Sequence, residues 1–228
     1  MIVSIHQPNY LPWLGFFDKI KKSDVFVIFD DVQFPRGKKH FGHRNKIKTI
    51  SGDKWLSVPV SNKSDLVSFN DTIINYDTKW NMEHLRLMDV FYSKSPYFNN
   101  YYKDLYEIIS VEYESLTKLS VSLIKYFLKK LNINTKVKYS SKISDKNLYG
   151  ADKIFDILEK IKTKEYITGS GPGSMRYIDK NGFDEREIKL NWQHYKHPTY
   201  NQLHDGFIPY LSIIDLLFNE GERSGEII

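Results

Sequence analysis

The stretch that decides the fold is residues 1–34, MIVSIHQPNYLPWLGFFDKIKKSDVFVIFDDVQF. It opens with a short apolar run ending at His6, and a second run, Val25-Phe26-Val27-Ile28-Phe29, is enclosed by Asp24 and Asp30. Continuous runs of β-branched and aromatic residues are the pattern of strands covered on both faces, as in parallel sheets. Between them, Gln7-Pro8-Asn9-Tyr10 is turn chemistry. Pro12 suits the first position of a helix that reaches about Lys22. Strand, crossover helix and parallel strand within about 30 residues make a βαβ unit. The expected fold is α/β, with a mostly parallel sheet and flanking helices.

Working outward, residues 55–60 and 72–76 read as strands. Residues from about 78 to 132 carry apolar and aromatic side chains at helical spacing, interrupted by Ser95-Pro96, and read as an inserted helical segment. A strand is expected at 136–139, a helix at 151–161, a strand at 165–168, a short helix at 174–180, a strand at 187–192 and a helix at 211–218 that ends at Gly221. The sequence Gly169-Ser170-Gly171-Pro172-Gly173-Ser174 is a loop between two of these elements. With no internal repeats and no low-complexity linker, residues 1–228 read as a single α/β domain carrying the helical segment.

The chain of 228 residues contains no cysteine, which excludes disulfides, thiolate zinc sites and a cysteine nucleophile. Residues 1–10 carry neither a basic leader nor a long apolar run, so no signal peptide is expected. The apolar run 211–218 is interrupted by Asp215 and too short for a bilayer, so no membrane span and a cytoplasmic location are expected. The net charge of +5 suits phosphorylated partners. The lysines, however, are scattered in doublets without a nucleic-acid-binding signature, which disfavours nucleic acid as the partner.

The opening run Ile5-His6-Gln7-Pro8-Asn9-Tyr10-Leu11-Pro12-Trp13-Leu14-Gly15-Phe16-Phe17 resembles the signature of the WbqC-like family. So do Asp30-Asp31-Val32-Gln33-Phe34, Arg44-Asn45 and residues 55–60, WLSVPV. Near the other end, His197-Pro198-Thr199-Tyr200-Asn201-Gln202 and residues 207–219 resemble the family's closing block, so the resemblance spans nearly the whole chain. It implies a role beside O-antigen, capsule and lipopolysaccharide genes, where some members carry an amino-acid (glycine) or acyl transferase label. A fainter similarity links residues 3–34 to pantothenate synthetase and the HIGH-motif nucleotidylyltransferases. Here Trp13-Leu14-Gly15-Phe16 keeps the glycine and replaces both histidines of that motif with aromatic residues, which speaks against adenylation.

The candidate site residues follow from position. In open α/β sheets ligands meet the carboxyl ends of the strands. His6 stands at the end of the first strand and is the candidate general base. Asp30 and Asp31 end the second strand as candidate catalytic carboxylates, of which strand alternation would let one face a pocket. Gln7, Asn9, Tyr10 and Gln33 are candidate substrate contacts. Arg44, with Asn45, follows the basic run Arg36-Gly37-Lys38-Lys39-His40 and is the candidate phosphate anchor, because a guanidinium grips phosphate bidentately. Gly171, Ser174 and Arg176 belong to a glycine-bearing turn that can present backbone N–H groups to an anion. His197 and Tyr200 complete the set. The pairs His40/His43 and His194/His197 each make only half of a zinc site, so no metal is expected.

The expected function is transfer of an acyl or aminoacyl group to the amine of a nucleotide-linked amino sugar. The partners would be that nucleotide-sugar and a carrier protein or other biosynthetic enzymes. No cofactor is fixed; an acyl or aminoacyl donor and ATP are the candidates. The alternatives are a non-catalytic nucleotide-sugar or partner-binding protein of the same pathway, and an ATP-dependent amide ligase.

Overall fold

The computed structural model describes residues 1–35, 40–61 and 66–228. In chain order the strands and helices are β1 (Ile2–His6), α1 (Leu14–Lys21), β2 (Val25–Ile28), β3 (Arg44–Thr49), β4 (Gly52–Ser57), β5 (Val60–Ser61), β6 (Ile73–Ile74), α2 (Trp80–Tyr92), α3 (Phe98–Ile109), α4 (Leu116–Lys130), β7 (Lys136–Tyr139), α5 (Gly150–Lys160), β8 (Glu165–Gly169), α6 (Pro172–Met175), α7 (Lys180–Glu185), β9 (Lys189–Gln193), α8 (Ile213–Glu220) and α9 (Ser224–Ile227). They assemble into two compact units. The first comprises Met1–Gln7, Asp18–Val32 and Asn134–Lys196; the second comprises Pro8–Phe17, Gln33–Ile133 and His197–Ile228.

The first unit holds the expected parallel sheet, with strand order β7-β2-β1-β8-β9. Every neighbouring pair is parallel. Counted in chain order, the five strands stand 3-2-1-4-5, the order of doubly wound nucleotide-binding sheets. Val3, Ile5, Val25 and Val27 present one face of the sheet to Ile154, Phe155, Ile157 and Leu158 of α5 and to Phe183 of α7. Each such apolar side chain stabilises the fold by roughly 1.5–3 kcal/mol when fully buried. Ser4 faces the other way, where its Oγ accepts from Ser23 Oγ at 2.8 Å.

The second unit contains two antiparallel hairpins, β3-β4 and β5-β6, and the helices α2, α3, α4 and α8. Every residue of α8 is buried, Asp215 included. A helix apolar on nearly all sides belongs in a core. Phe218 packs there against Tyr92 and Phe98 at 5.2 and 5.1 Å between ring centroids.

One element is unexpected, and two local expectations change. Residues 44–49 form a strand that hydrophobic periodicity does not announce, because buried Asn45 and Lys48 stand where apolar residues would. The run 55–60 is not one strand: β4 stops at Ser57, and Pro59 has no N–H to continue a ladder. The short helix expected at 174–180 is instead two helices, α6 and α7, separated by residues 176–179. Among the described residues no helix is long and apolar enough to cross a membrane.

Candidate functional site

The parallel ladders end at different heights. β1 pairs with β2 as far as His6↔Ile28. β8 pairs with β9 as far as Gly169↔Gln193. Yet β1 pairs with β8 only from Ile2↔Glu165 to Ser4↔Ile167. Beyond Ser4 the sheet therefore splits between β1 and β8. The strand order also reverses there, and such switch points are where open α/β sheets receive ligands.

His6 and Gln7 stand on the β1 lip of this split. His6 Nδ1 lies 2.9 Å from the Gln7 carbonyl oxygen. A carbonyl can only accept, so Nδ1 carries the proton and Nε2 is the acceptor nitrogen. Burial, reinforced by the Lys19 cation, pushes the His6 pKa down to about 3. The imidazole is therefore neutral throughout the physiological range.

The opposite lip is Gly169 and the turn that follows. Ser174 folds back over Gly169, where a Cβ on the glycine would stand 3.1 Å from Ser174 Oγ. Gly171 precedes α6, and Gly171 and Arg176 are exposed. The sequence-predicted residues His6, Gln7, Gly171, Ser174 and Arg176 thus all belong to one switch point of one sheet.

Asp30 and Asp31 lie beyond the end of β2, so strand alternation does not separate them as expected. Both reach the same hydroxyl. Ser140 Oγ donates toward Asp30 Oδ1 at 2.9 Å and makes a very short contact with Asp31 Oδ1. Ser141 adds its backbone N–H to Asp30 Oδ1 at 3.0 Å and its hydroxyl to Asp30 Oδ2 at 2.7 Å. Lys153 of α5 pairs with Asp31 Oδ2 at 2.8 Å and donates to the Asp145 carbonyl at 3.1 Å. Sequence reasoning missed Ser140, Ser141 and Lys153. No local pattern marks them, since the carboxylates they serve lie about a hundred residues away.

Lys19 of α1 was missed for a different reason. In sequence it belongs to the polar stripe of an amphipathic helix, yet it is 2% exposed. Its Nζ donates to the Ile5 carbonyl at 3.2 Å. Burial pushes its pKa down to about 7.

The other predicted residues lie in the second unit. Tyr10 is fully buried and its hydroxyl meets His84 Nδ1 at 2.9 Å, with Trp80 packed edge-on. Asn9 is buried, whereas Gln33 is exposed and forms a bridge with Ser68. The Arg44 guanidinium stacks 4.1 Å from the centre of the Trp55 ring. Asn45 donates to the Leu11 carbonyl at 2.6 Å and accepts the Lys46 N–H at 2.8 Å. His197 Nδ1 is 2.8 Å from the Pro198 carbonyl oxygen, and Nε2 accepts the Tyr210 N–H at 3.1 Å. Tyr200 donates to Asp215 Oδ2 at 2.7 Å. Asp215 also receives Tyr92 at 2.9 Å and Gln202 at 2.9 Å. The closing block thus carries a buried carboxylate with three donors.

Arg36, Gly37, Lys38 and Lys39 of the basic run lie outside the described residues. The His40 and His43 rings meet at a tilt of 48°, with centroids 4.7 Å apart. Among the described residues no group of three or more His, Asp or Glu side chains is arranged to hold a metal ion.

Comparison with known proteins agrees with the opening and closing motifs. The profile of the WbqC-like protein family matches residues 7–227. The chain is 32% identical over 231 residues to the uncharacterized protein Rv1507c of Mycobacterium tuberculosis, covering 99% of this chain and 96% of that protein. No solved structure matches the chain. With the signature turn closing β1 and the closing block packed on α8, the chain belongs to the WbqC-like protein family.

Proposed function

We propose that the protein transfers an acyl or aminoacyl group, glycine-like in size, to the amine of a nucleotide-linked amino sugar in the assembly of surface polysaccharide. The observation that carries this reading is the split between β1 and β8, with the acceptor nitrogen of His6 on one lip and a glycine-bearing turn on the other. The amine nitrogen attacks the acyl carbon of an activated donor. A C–N bond forms, the bond from the acyl carbon to its leaving group breaks, and the amine proton passes to His6 Nε2 and on to the leaving group. A histidine held at a pKa of about 3 is by itself a weak proton acceptor. The phosphates of a bound nucleotide would oppose the Lys19 charge and raise its basicity where the reaction needs it. Asp30 and Asp31 act as positioning groups, fixing the end of β2 through Ser140, Ser141 and Lys153.

The test is a mass-spectrometric search for amide product, pairing nucleotide-linked amino sugars with acyl-carrier, coenzyme-A and aminoacyl donors. With a productive pair, His6→Gln should remain folded and bind the sugar nucleotide, yet lose at least about a hundredfold in turnover. A wild-type rate in that variant removes His6 as the base. Tight binding with no product from any donor favours a non-catalytic holder of the nucleotide-sugar.

A further inference from the structure

Backbone parity locates Lys19 more closely than its sequence does. Along β1, successive carbonyls point alternately toward the two neighbouring strands. The Ile2 and His6 carbonyls accept from Asp24 and Phe29, on the β2 side. The Met1 carbonyl accepts from Lys164 and Glu165, on the β8 side. Ile5 shares the parity of Met1, so its carbonyl points toward β8. The β1–β8 ladder has already ended, at Ser4↔Ile167. Lys19 Nζ donates to that carbonyl, which no β8 N–H of the ladder reaches. The ammonium therefore lies against the β1 edge of the split, one residue before His6.

Among the described residues, this amine has one hydrogen bond and no carboxylate within ion-pairing distance. The titratable and charged groups on the surrounding elements do not supply one. His6 on β1 is neutral. On α1 itself, Asp18 is held by Lys22 at 2.7 Å and by Gln193 of β9 at 2.7 Å. Glu165, the one carboxylate of β8, sits at the far end of that strand with Lys189 and Asn191. Tyr166, with its pKa pushed up to about 12, is neutral. β9 contains no acid between Lys189 and Gln193. Asp30 and Asp31 are occupied by serines and Lys153. An amine buried without a counter-charge is destabilising unless it deprotonates or an anion arrives.

We propose that Lys19 is a ligand-binding residue whose ammonium pairs, in the split between β1 and β8, with a phosphate of the bound ligand. This rests on the reading that the split receives a nucleotide-linked substrate, and it names the charge that holds the diphosphate there. A lysine whose pKa burial pushes down to about 7 is only partly protonated at neutral pH. An anion selects the protonated form, so binding takes up protons and weakens as the solution becomes more alkaline.

The experiment measures affinity and proton uptake by calorimetry, with pyrophosphate and UDP-glucose as probes, on the wild type, Lys19→Met and Lys19→Gln. UDP-glucose carries a diphosphodiester whose charge is constant near neutrality, so its pH dependence reports the protein. Wild-type affinity for UDP-glucose should fall as pH rises through about 7, with proton uptake on binding. Lys19→Met should bind both probes about tenfold or more weakly, without that uptake. It should also melt at or above the wild-type temperature, because a buried amine with one hydrogen bond has been replaced by an apolar chain of similar length. Equal affinity in wild type and Lys19→Met overturns the assignment, and so does wild-type binding that is flat from about pH 6 to 9. A large fall in melting temperature in both variants makes Lys19 a structural cap on Ile5 and also overturns it. If the wild type binds as described but no donor yields amide, only the proposed reaction fails. If it binds neither probe, the site reading fails with it.

Discussion

Lys19 and Lys153 are the same residue, in the same unit, buried to nearly the same degree at 2% and 1% exposure. Their surroundings are opposite. Lys153 pairs with Asp31 at 2.8 Å and caps the Asp145 carbonyl, joining α5 to the residues that follow β2. Lys19 has a single carbonyl, at a point where the sheet has come apart. A buried charge with all its partners belongs to the architecture, whereas a buried charge with a partner missing marks the place where something is to bind. Asp215 in the second unit is of the first kind, with Tyr92, Tyr200 and Gln202 all donating to it. Burial raises its pKa while those donors hold it down.

The contrast can be broken most forcefully at Asp215. Asp215→Ala takes the acceptor from the buried hydroxyls of Tyr92 and Tyr200, and one of several from Gln202, and should cost about 4 kcal/mol in a denaturant titration. A loss below about 1 kcal/mol would show the network to be ornamental. Lys153→Met removes the cation from Asp31 and should cost about 3 kcal/mol, against little or no loss for Lys19→Met measured side by side. Equal losses would erase the distinction between the two lysines.

A smaller effect concerns the buried histidines. Burial lowers the pKa of His84 to about 4, below its unfolded value of 6.5. The unfolded chain therefore binds a proton first, and this contribution to stability is lost as pH falls from about 6.5 toward 4. Replacing His84 with Gln should flatten that acid limb by about 2 kcal/mol. His6 and His43 act in the same direction, with values of about 3 and 4. A variant that loses stability over this range as steeply as the wild type assigns the acid sensitivity to those two. The smallest effect is expected at Trp55, exposed at 37% and covered by Arg44. Trp55→Ala should cost about 0.5–1 kcal/mol, the worth of a surface cation–π contact. A much larger loss, read by thermal melting, would mean that the β3-β4 hairpin depends on the stack.

The candidate site was legible in the sequence where it is built from strand ends. His6 closes an apolar run and begins a polar turn, and Gly169–Ser174 closes another. A reader who knows that parallel strands present their carboxyl ends to ligands can pick both without a structure. Arg44 and Asn45, by contrast, are placed by sequence only as following a basic run, and they form the start of a strand that the sequence does not announce, because the side chains that pattern a strand are usually apolar and Asn45 here is a buried amide bonded to Leu11.

By itself the sequence determined the α/β class, the parallel βαβ opening and the family, since each depends on short-range periodicity, turn chemistry or a contiguous motif. The tertiary structure alone decided the order of the five strands, the height at which β1 and β8 part, and which buried charges have partners. Those partners are separated along the chain by 110 residues for Asp30 and Ser140 and 123 for Tyr92 and Asp215. No local propensity encodes such pairs, because their energy exists only once packing has excluded water from both members. Lys19 shows the same rule in reverse. Its helix reads as ordinary amphipathic sequence, and only the fold, by burying it against an unpaired strand carbonyl, gives it a charge in need of an anion.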